Sequence, residues 1–235
     1  MRNYFTFGSI TSTSYGVYIT GTGVYNAPER SYESITVPGR DGALLGVEKQ
    51  LLNIELTYPA FISSNFKTNM SDFKAALLSQ TGYQRLTDTY YPTEFRKAVY
   101  RGGMEVDART QHDAGQFDIT FECKPQRYLV SGESAVMVAS GGTLTNPTKF
   151  PSQPLIRVTG YGTLYVNSDK ITVASGNTYV DIDCETMDCY YGTTNANSYV
   201  TFQNTDFPVL KSGSNSFTYS GNITALTITP RWWTV

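Results

Sequence analysis

The run FDITFE, residues 117–122, alternates apolar and polar side chains without interruption. Phe117, Ile119 and Phe121 would therefore lie on one face of a strand, which is typical of a half-buried β-strand. Pro125 follows closely, and because proline cannot donate a hydrogen bond to a strand ladder, we expect the strand to end before it. This run predicts a sheet that packs one face against a core.

A predicted hairpin precedes this strand in the chain. Residues 32–37 (YESITV) alternate apolar and polar side chains, and residues 51–58 (LLNIELTY) do so again. Between them stands Pro38-Gly39-Arg40-Asp41-Gly42, where a proline and two glycines within five residues indicate a turn. A strand, a turn and a strand in this order predict that residues 32–37 pair with residues 51–58.

One helix is predicted between these strands and the FDITFE run. Its apolar residues recur at intervals of four, three and four, as on one side of a helix: Phe66, Met70, Phe73 and Leu77. Ser63 or Ser64 could cap its start, and Gly82 fits just past its end. Because such a stripe is usually buried, we expect the helix to pack on a sheet.

The second half of the chain has no helical period and many short apolar runs. Turn residues separate nearly every pair of predicted strands, and Gly160-Tyr161-Gly162 is interpreted as one of these turns. This pattern predicts a β-sandwich. The strands are expected at residues 155–159, 162–166, 170–173, 179–183, 189–191, 199–202, 216–219 and 225–229. A stretch rich in Ser, Gly, Thr, Asn and Pro at residues 131–154 places the domain boundary near residue 130, giving domains 1–130 and 131–235.

Composition excludes several classes of function. Only 16% of the 235 residues are charged, against about 25% usually, and the 18 tyrosines and abundant threonines favour sheets. The net charge of -2 disfavours capture of a nucleic acid. No stretch approaches the length of a membrane span, and the opening residues lack the apolar run of a signal peptide. Cys123, Cys184 and Cys189 are expected to be free thiols in a reducing cytoplasm.

We find no pattern that predicts catalysis. The only histidine, His112, is expected in a surface loop, and the cysteines lack the spacing of a zinc site. Clustered carboxylates could hold calcium, but a solvated strand face is the preferred interpretation of Asp181, Asp183, Glu185 and Asp188. A sugar-stacking platform and core packing are both open for Trp232 and Trp233 with Tyr190 and Tyr191, and core packing is preferred. We therefore predict no enzyme, no cofactor and no metal.

Several motifs together resemble distal tail proteins of long, non-contractile tailed phages. In the first half they are Phe5-Thr6-Phe7-Gly8, Ser14-Tyr15-Gly16-Val17, Val37-Pro38-Gly39-Arg40-Asp41-Gly42, Leu86-Thr87-Asp88 with Tyr91-Pro92, and Phe121-Glu122-Cys123-Lys124-Pro125 up to Tyr128. In the second half they are Asn146-Pro147, Ser152-Gln153-Pro154-Leu155-Ile156, Gly160-Tyr161-Gly162, Asp181-Ile182-Asp183, Phe207-Pro208-Val209-Leu210 with Gly213-Ser214-Asn215, and Pro230-Arg231-Trp232-Trp233. The resemblance covers nearly the whole chain. It implies a mainly β protein of two domains, an N-terminal β-sandwich with one packed helix and a C-terminal galectin-like β-sandwich.

The resemblance also implies a structural function. The N-terminal domains would form a hexameric ring that joins the tail tube protein to the tail-tip hub protein, and the ring would serve as a scaffold for host-adsorption proteins, with receptor-binding proteins as further candidate partners. The tape-measure protein and DNA would pass through the lumen without sequence-specific binding, and no membrane is involved. The protein would be located in the virion at the tail tip, after assembly in the host bacterial cytoplasm.

Three alternatives remain beside this function. A carbohydrate-binding adhesin of the tail tip, using the second domain, ranks next, followed by a tail-tube subunit and then by a cell-wall hydrolase. An aromatic cleft in the second domain would favour the adhesin, and facing carboxylates would favour the hydrolase.

Arg40 and Asp41 are the candidate subunit-interface residues. The glycines of their turn already supply its backbone freedom, so the turn itself does not require a guanidinium group. An exposed, solvated arginine is the alternative. The resemblance favours the interface, where the planar fork of an arginine can bind a neighbouring carboxylate or carbonyl group.

Overall fold

The computed structural model describes residues 2–21, 25–109, 113–204 and 206–235, with the backbone alone for residues 47–49 and 107–109. The chain divides into two compact units, Met1–Arg127 together with Val235, and Tyr128–Thr234. The protein is mainly β, as predicted, with a single α-helix among the described residues. Independent folding of domains 1–130 and 131–235 stays a prediction.

The first unit is built on a sheet that curls around an aromatic core. Its elements are β1 (Phe5–Phe7), β2 (Ile10–Thr11), a 3-10 turn (Ser12–Tyr15), β3 (Val17–Ile19), β4 (Arg30–Thr36), β5 (Ala43–Leu51), β6 (Ile54–Ile62), α1 (Phe66–Ser79), β7 (Gln84–Asp88), β8 (Glu94–Tyr100), β9 (Val106–Arg109) and β10 (Ala114–Leu129), whose last two residues belong to the second unit. Neighbouring strands follow the order β2-β1-β7-β8-β10-β6-β3, and β9 also pairs with β10. Phe5 lies at the centre, stacked on Tyr58 and edge-on to Phe121.

The helix forms as predicted, but its cap differs. Met70, Phe73 and Leu77 are buried against the sheet, which confirms the stripe. Neither serine caps the start. Asn65 adopts a left-handed conformation there, and the N–H of Phe66 donates to the Oδ1 atom of Asp113 at 3.0 Å. The cap therefore comes from a residue 47 positions away, which local sequence could not indicate.

The hairpin forms with a different partner from the one predicted. Residues 30–36 pair with residues 43–51 rather than with residues 51–58, and Ile35 lies opposite Leu44. Strand β6 pairs instead with β10 and β3. The closing turn directly joins β4 to β5, so the nearest extended segment takes the pairing and the later, better alternating run is left for the core sheet.

Strand β10 does not end at Pro125, contrary to the prediction. Its ladder with β6 runs only from Gly115 to Cys123, so Pro125 lies beyond the last hydrogen-bonded pair with that neighbour. A proline there removes no donor that β6 requires. Its carbonyl oxygen accepts a hydrogen bond from the buried Arg96 side chain.

The second unit is also a curled, antiparallel sheet. Its elements are a 3-10 turn (Val130–Gly132), β11 (Val136–Met137), β12 (Thr143–Asn146), β13 (Leu155–Val166), β14 (Asp169–Val173), β15 (Tyr179–Asp183), β16 (Asp188–Tyr191), β17 (Thr194–Asn195), a 3-10 turn (Asn197–Tyr199), β18 (Val200–Phe202), β19 (Gly213–Thr229) and β20 (Trp233–Thr234). The main order is β11-β19-β13-β15-β16-β17. Strand β12 pairs with β19, and β14 lies between β13 and β18. The core is aliphatic, with Phe217 and Trp232 as its large aromatic members.

The segment Gly160-Tyr161-Gly162 is not a turn, so that interpretation is wrong. It lies inside β13, where the register with β19 shifts between Thr159 and Gly160 and makes a bulge. A Cβ atom on Gly162 would lie 2.2 Å from the backbone oxygen of Ser220. The close approach of β19 requires these glycines. Two glycines in the sequence look the same whether they serve a turn or a close approach of strands, so the local pattern could not tell the two apart.

No helix within the described ranges has the length and apolar character needed to cross a membrane.

Candidate assembly interface

The β4–β5 hairpin exposes apolar side chains that the core of the first unit does not cover. It forms a two-stranded sheet separate from the large sheet. Nearly every described residue of β4 is exposed, although the hairpin carries large apolar side chains. The exposed fractions are 59% for Tyr32, 46% for Ile35, 42% for Leu44 and 64% for Leu45. These apolar residues lie on both faces of the hairpin, because Leu44 pairs with Ile35 and Leu45 pairs with Ser34.

The turn that closes this hairpin presents Arg40 and Asp41. The N–H of Arg40 donates to the carbonyl oxygen of Val37 at 3.2 Å, which closes the turn through the backbone. Gly39 and Gly42 both have a φ of 78°, a left-handed conformation that favours glycine. The side chains of Arg40 and Asp41 are exposed, and within the described part of the chain neither has an ion pair. The structure thus places both predicted interface residues at an exposed hairpin tip.

A groove of about 690 Å³ opens on the first unit, along the outer face of β6 and β10. Its walls combine apolar and polar side chains. The groove is lined by Thr20, Pro59, Ala60, Phe61, Gly103, Glu105, Val106, Gln116, Phe117, Asp118 and Thr120. It is open along its length and lacks the enclosed shape of a typical small-molecule pocket.

The acidic cluster of the second unit is not a solvated strand face, contrary to the prediction. Asp181 and Asp183 are buried, and each meets an arginine through two hydrogen bonds. The Nε and Nη2 atoms of Arg157 each donate to one carboxylate oxygen of Asp181 at 2.7 Å. The Nη1 and Nη2 atoms of Arg231 donate to the two carboxylate oxygens of Asp183 at 2.6 and 2.9 Å. Burial alone would raise the pKa of Asp183, but Arg231 and two backbone N–H groups outweigh it and hold that pKa below its ordinary value.

The tryptophans are used in packing rather than as a joint platform. Trp232 is buried in the core of the second unit. Trp233 stacks on Phe150 with 4.4 Å between ring centroids, and its Nε1–H donates to the carbonyl oxygen of Pro151. The two neighbouring rings therefore have separate structural partners.

The two described cysteines of the second unit are buried and unreactive. Cys184 follows β15 and Cys189 lies in the adjacent strand β16, both buried as free thiols, and burial raises the pKa of Cys189 to about 12. A thiol with so high a pKa is a poor nucleophile. His112 lies outside the described residues. In the described part of the chain, no group of three or more His, Cys, Asp or Glu side chains could hold a metal ion.

Two mainly β units and an exposed, partly apolar hairpin are typical of a structural protein that works within an assembly. Comparison with known proteins agrees with this class. Residues 157–232 match the family described as siphovirus-type tail component, C-terminal domain. No curated protein sequence matches the chain closely enough to count as a relative.

Solved structures match over the length of the chain. The crystal structure of the Dit protein (gp 19.1) of phage SPP1 is similar with a TM-score of 0.77 and 14% identity, covering 100% of both chains. A chain of the phage P2 baseplate in its activated conformation with Ca is similar with a TM-score of 0.51 and 11% identity, covering 97% of this chain and 98% of the other. The family match over residues 157–232 bears out the resemblance to distal tail proteins, and the full-length structural match shows that the chain shares their fold. The family match supports a structural component of a phage tail.

Proposed function

We propose that the protein is a distal tail protein that forms a hexameric ring between the tail tube and the tail-tip hub of a phage. The observation that carries this proposal is the exposed β4–β5 hairpin. A two-stranded hairpin is marginal in water on its own, and three or more strands or a packed face are normally needed to stabilise one. Apolar side chains on both of its faces are therefore best explained by a covering partner.

A second copy of the chain fits the requirements of that partner. A closed ring repeats one heterologous contact, so each subunit needs a projecting surface and a different receiving surface. The hairpin supplies the first, and the groove along β6 and β10 suits the second. Burial of four half-exposed apolar side chains would stabilise each contact by about 4 kcal/mol before the costs of association, at roughly 1 kcal/mol each.

Arg40 and Asp41 would add specificity to this contact. Both residues lie at the exposed tip of the hairpin, so their charges are hydrated in the free subunit. There they can pair with charges of opposite sign on a neighbouring subunit. The groove offers Glu105 and Asp118 as carboxylates for the guanidinium of Arg40. The bidentate geometry available to arginine would fix the register between subunits.

In the virion tail, such a ring would contact the tail tube protein on one face and the tail-tip hub protein on the other. The second units would serve as a scaffold for receptor-binding proteins. The tape-measure protein and DNA would pass through the lumen, and the low net charge of the chain suits passage without tight binding. Assembly in the host cytoplasm agrees with three cysteines that are free and buried.

The test compares two leucines of the first unit with nearly equal exposure. Leu45 in the hairpin is 64% exposed, and Leu78 on the helix is 61% exposed. We expect Leu45→Ser to weaken each subunit contact about tenfold, because a leucine that becomes buried in a contact is worth roughly 1–2 kcal/mol. Leu78→Ser is the control and should leave the oligomer unchanged. Sedimentation velocity across a dilution series measures both.

Equal effects of the two substitutions, or an unaltered hexamer with Leu45→Ser, would remove the hairpin from the interface. A wild-type protein that sediments as a monomer at every concentration, with or without purified tail tube protein, would contradict the ring itself.

A further inference from the structure

The tip of the β4–β5 hairpin holds an aspartate that is followed directly by a glycine. Asp41–Gly42 is the one place in the sequence where an aspartate or asparagine precedes a glycine. The side chain of Asp41 is exposed, and within the described part of the chain no hydrogen bond or ion pair holds its carboxylate. This carboxyl group is therefore accessible to the backbone atoms next to it.

The backbone that follows Asp41 is equally unconstrained. The turn is closed by the N–H of Arg40, which donates to the carbonyl oxygen of Val37, so this bond does not use the N–H of Gly42. Among the described residues, no acceptor binds the N–H of Gly42. The space where a side chain of Gly42 would begin has no heavy atom within 4 Å. Neither a hydrogen bond nor a crowded neighbour fixes the amide nitrogen beside the Asp41 carboxyl group.

We propose that Asp41 is a site of spontaneous isomerisation to isoaspartate. The amide nitrogen of Gly42 bonds to the Cγ atom of Asp41, and the hydroxyl of the protonated carboxyl group leaves with the amide proton as water, which closes a succinimide ring. Glycine has no Cβ atom to obstruct this ring and adopts a wide range of backbone conformations. Water then opens the ring. Opening at the Cγ carbonyl restores aspartate, and opening at the main-chain carbonyl gives isoaspartate, so the water released first is taken up again.

Two other aspartates show how the fold prevents this reaction elsewhere. After Asp183, the N–H of Cys184 donates to the carbonyl oxygen of Pro154 at 3.0 Å, and Arg231 binds the Asp183 carboxylate through two hydrogen bonds. The carboxylate of Asp88 accepts hydrogen bonds from a tyrosine hydroxyl and from two backbone N–H groups. Both carboxylates are held in place by several donors, whereas that of Asp41 is not.

Isoaspartate keeps its negative charge but changes the hairpin tip. The main chain then runs through the Cβ and Cγ atoms of residue 41, which lengthens it by one atom, and the carboxylate is attached directly to Cα. The isomerisation itself does not require a ring of subunits. Its effect on assembly rests on the proposed function, since Asp41 lies in a subunit contact only if the hairpin does.

The test is to age the full-length protein at physiological temperature and neutral pH and to map its peptides. Digestion after glutamate releases residues 34–48, in which Asp41 is the sole aspartate. We expect a second form of this peptide with the same mass and a different elution time, which accepts a methyl group from an isoaspartate methyltransferase and resists an endoprotease that cleaves before aspartate. Asp41→Glu should abolish this form, because a glutamate side chain would have to close a larger ring.

Two glycines of the turn provide the matched comparison. Gly42→Ala should slow the isomerisation by about tenfold or more, because the new methyl group obstructs the attacking nitrogen. Gly39→Ala is the control and should leave the rate nearly unchanged. Gly39 has the same φ of 78° and equally open surroundings, but it does not follow an aspartate. Circular dichroism before ageing confirms that each variant is folded.

An Asp41 that stays unmodified in the folded protein, while the same peptide isomerises in urea, would overturn the proposal. Equal slowing by the two glycine substitutions would do so as well, and so would isoaspartate that forms at Asp88 or Asp183 as fast as at Asp41. Sedimentation of the aged protein is a separate measurement. Isoaspartate without a change in the oligomer supports the modification and removes Asp41 from the subunit contact, whereas the Leu45→Ser comparison tests the hairpin contact independently.

Discussion

Substitution of Arg231 by alanine tests the ion pair that replaces the predicted solvated cluster. The Arg231 side chain is 24% exposed and that of Asp183 is 10% exposed, and they meet through two hydrogen bonds. Breaking a fully buried pair by removing one partner costs about 3–5 kcal/mol, because the other charge is left without compensation. Partial access of water should reduce this to about 2–3 kcal/mol. Arg231 has a φ of 54°, and alanine retains a Cβ atom, so backbone strain is nearly unchanged.

Urea unfolding followed by tryptophan fluorescence measures this loss in the relevant unit. Both tryptophans lie in the second unit, so the signal reports its unfolding. For a unit of about one hundred residues, a loss of about 2 kcal/mol corresponds to a fall in melting temperature of roughly 10 °C. Lys149→Ala removes an equal charge from an exposed position and is the control, expected to change stability by less than about 0.5 kcal/mol. If Arg231→Ala is no more destabilising than Lys149→Ala, the ion pair does not stabilise the fold.

The same pair predicts a dependence on pH. The pKa of Asp183 is lower in the folded than in the unfolded chain, so the folded state binds fewer protons and stability rises with pH in that range. The contribution is complete above the unfolded pKa of about 3.9 and is lost as pH falls through the folded value. Arg231→Ala should remove this acid-side component while leaving other carboxylates to titrate. An identical acid profile in wild type and variant would contradict the assignment.

Three further predictions concern the tip, the bulge and the domain boundary. Arg40→Ala should leave the melting temperature of the subunit nearly unchanged but shift sedimentation towards smaller species, and unchanged assembly across a dilution series would make Arg40 an ordinary exposed arginine. Gly162→Ala should destabilise the second unit by about 2–4 kcal/mol, well beyond the effect of Gly192→Ala, because only at Gly162 does the new Cβ atom meet backbone. Residues 1–130 should fold and keep the ability to form rings, and residues 131–235 should fold as a monomer, with circular dichroism and light scattering as readouts. An insoluble N-terminal fragment would place the boundary elsewhere.

The periodicity of apolar residues correctly predicted elements whose apolar side is buried within the same unit. The helix at residues 66–79 and the run at residues 117–122 were both found, since a stripe or an alternation that is buried in the same unit determines its own orientation. The failures required information from distant residues. The cap of the helix comes from Asp113, and the partner of Asp183 is Arg231, 48 residues further along the chain.

The β4–β5 hairpin shows why the candidate interface was predicted only at its tip. A proline and two glycines in close succession indicate a turn, so the amino-acid sequence by itself places Arg40 and Asp41 on an exposed loop. The apolar residues on the flanking strands could not be assigned to an interface, because alternation predicts burial without saying which molecule provides the cover.

That ambiguity is physical rather than a weakness of one pattern. Ile35 in the hairpin and Ile119 in the core strand have the same side chain in alternating runs, yet Ile35 is 46% exposed and Ile119 is fully buried. The free energy that favours covering Ile35 is the same per unit of apolar area, whether the cover comes from the same chain or from a neighbour. If a neighbouring subunit covers Ile35, as proposed, its burial would add hydrophobic stabilisation to the assembly rather than to the fold of the single chain. For this reason we expect substitutions on the hairpin to change the size of the oligomer while the unfolding of the subunit stays nearly constant.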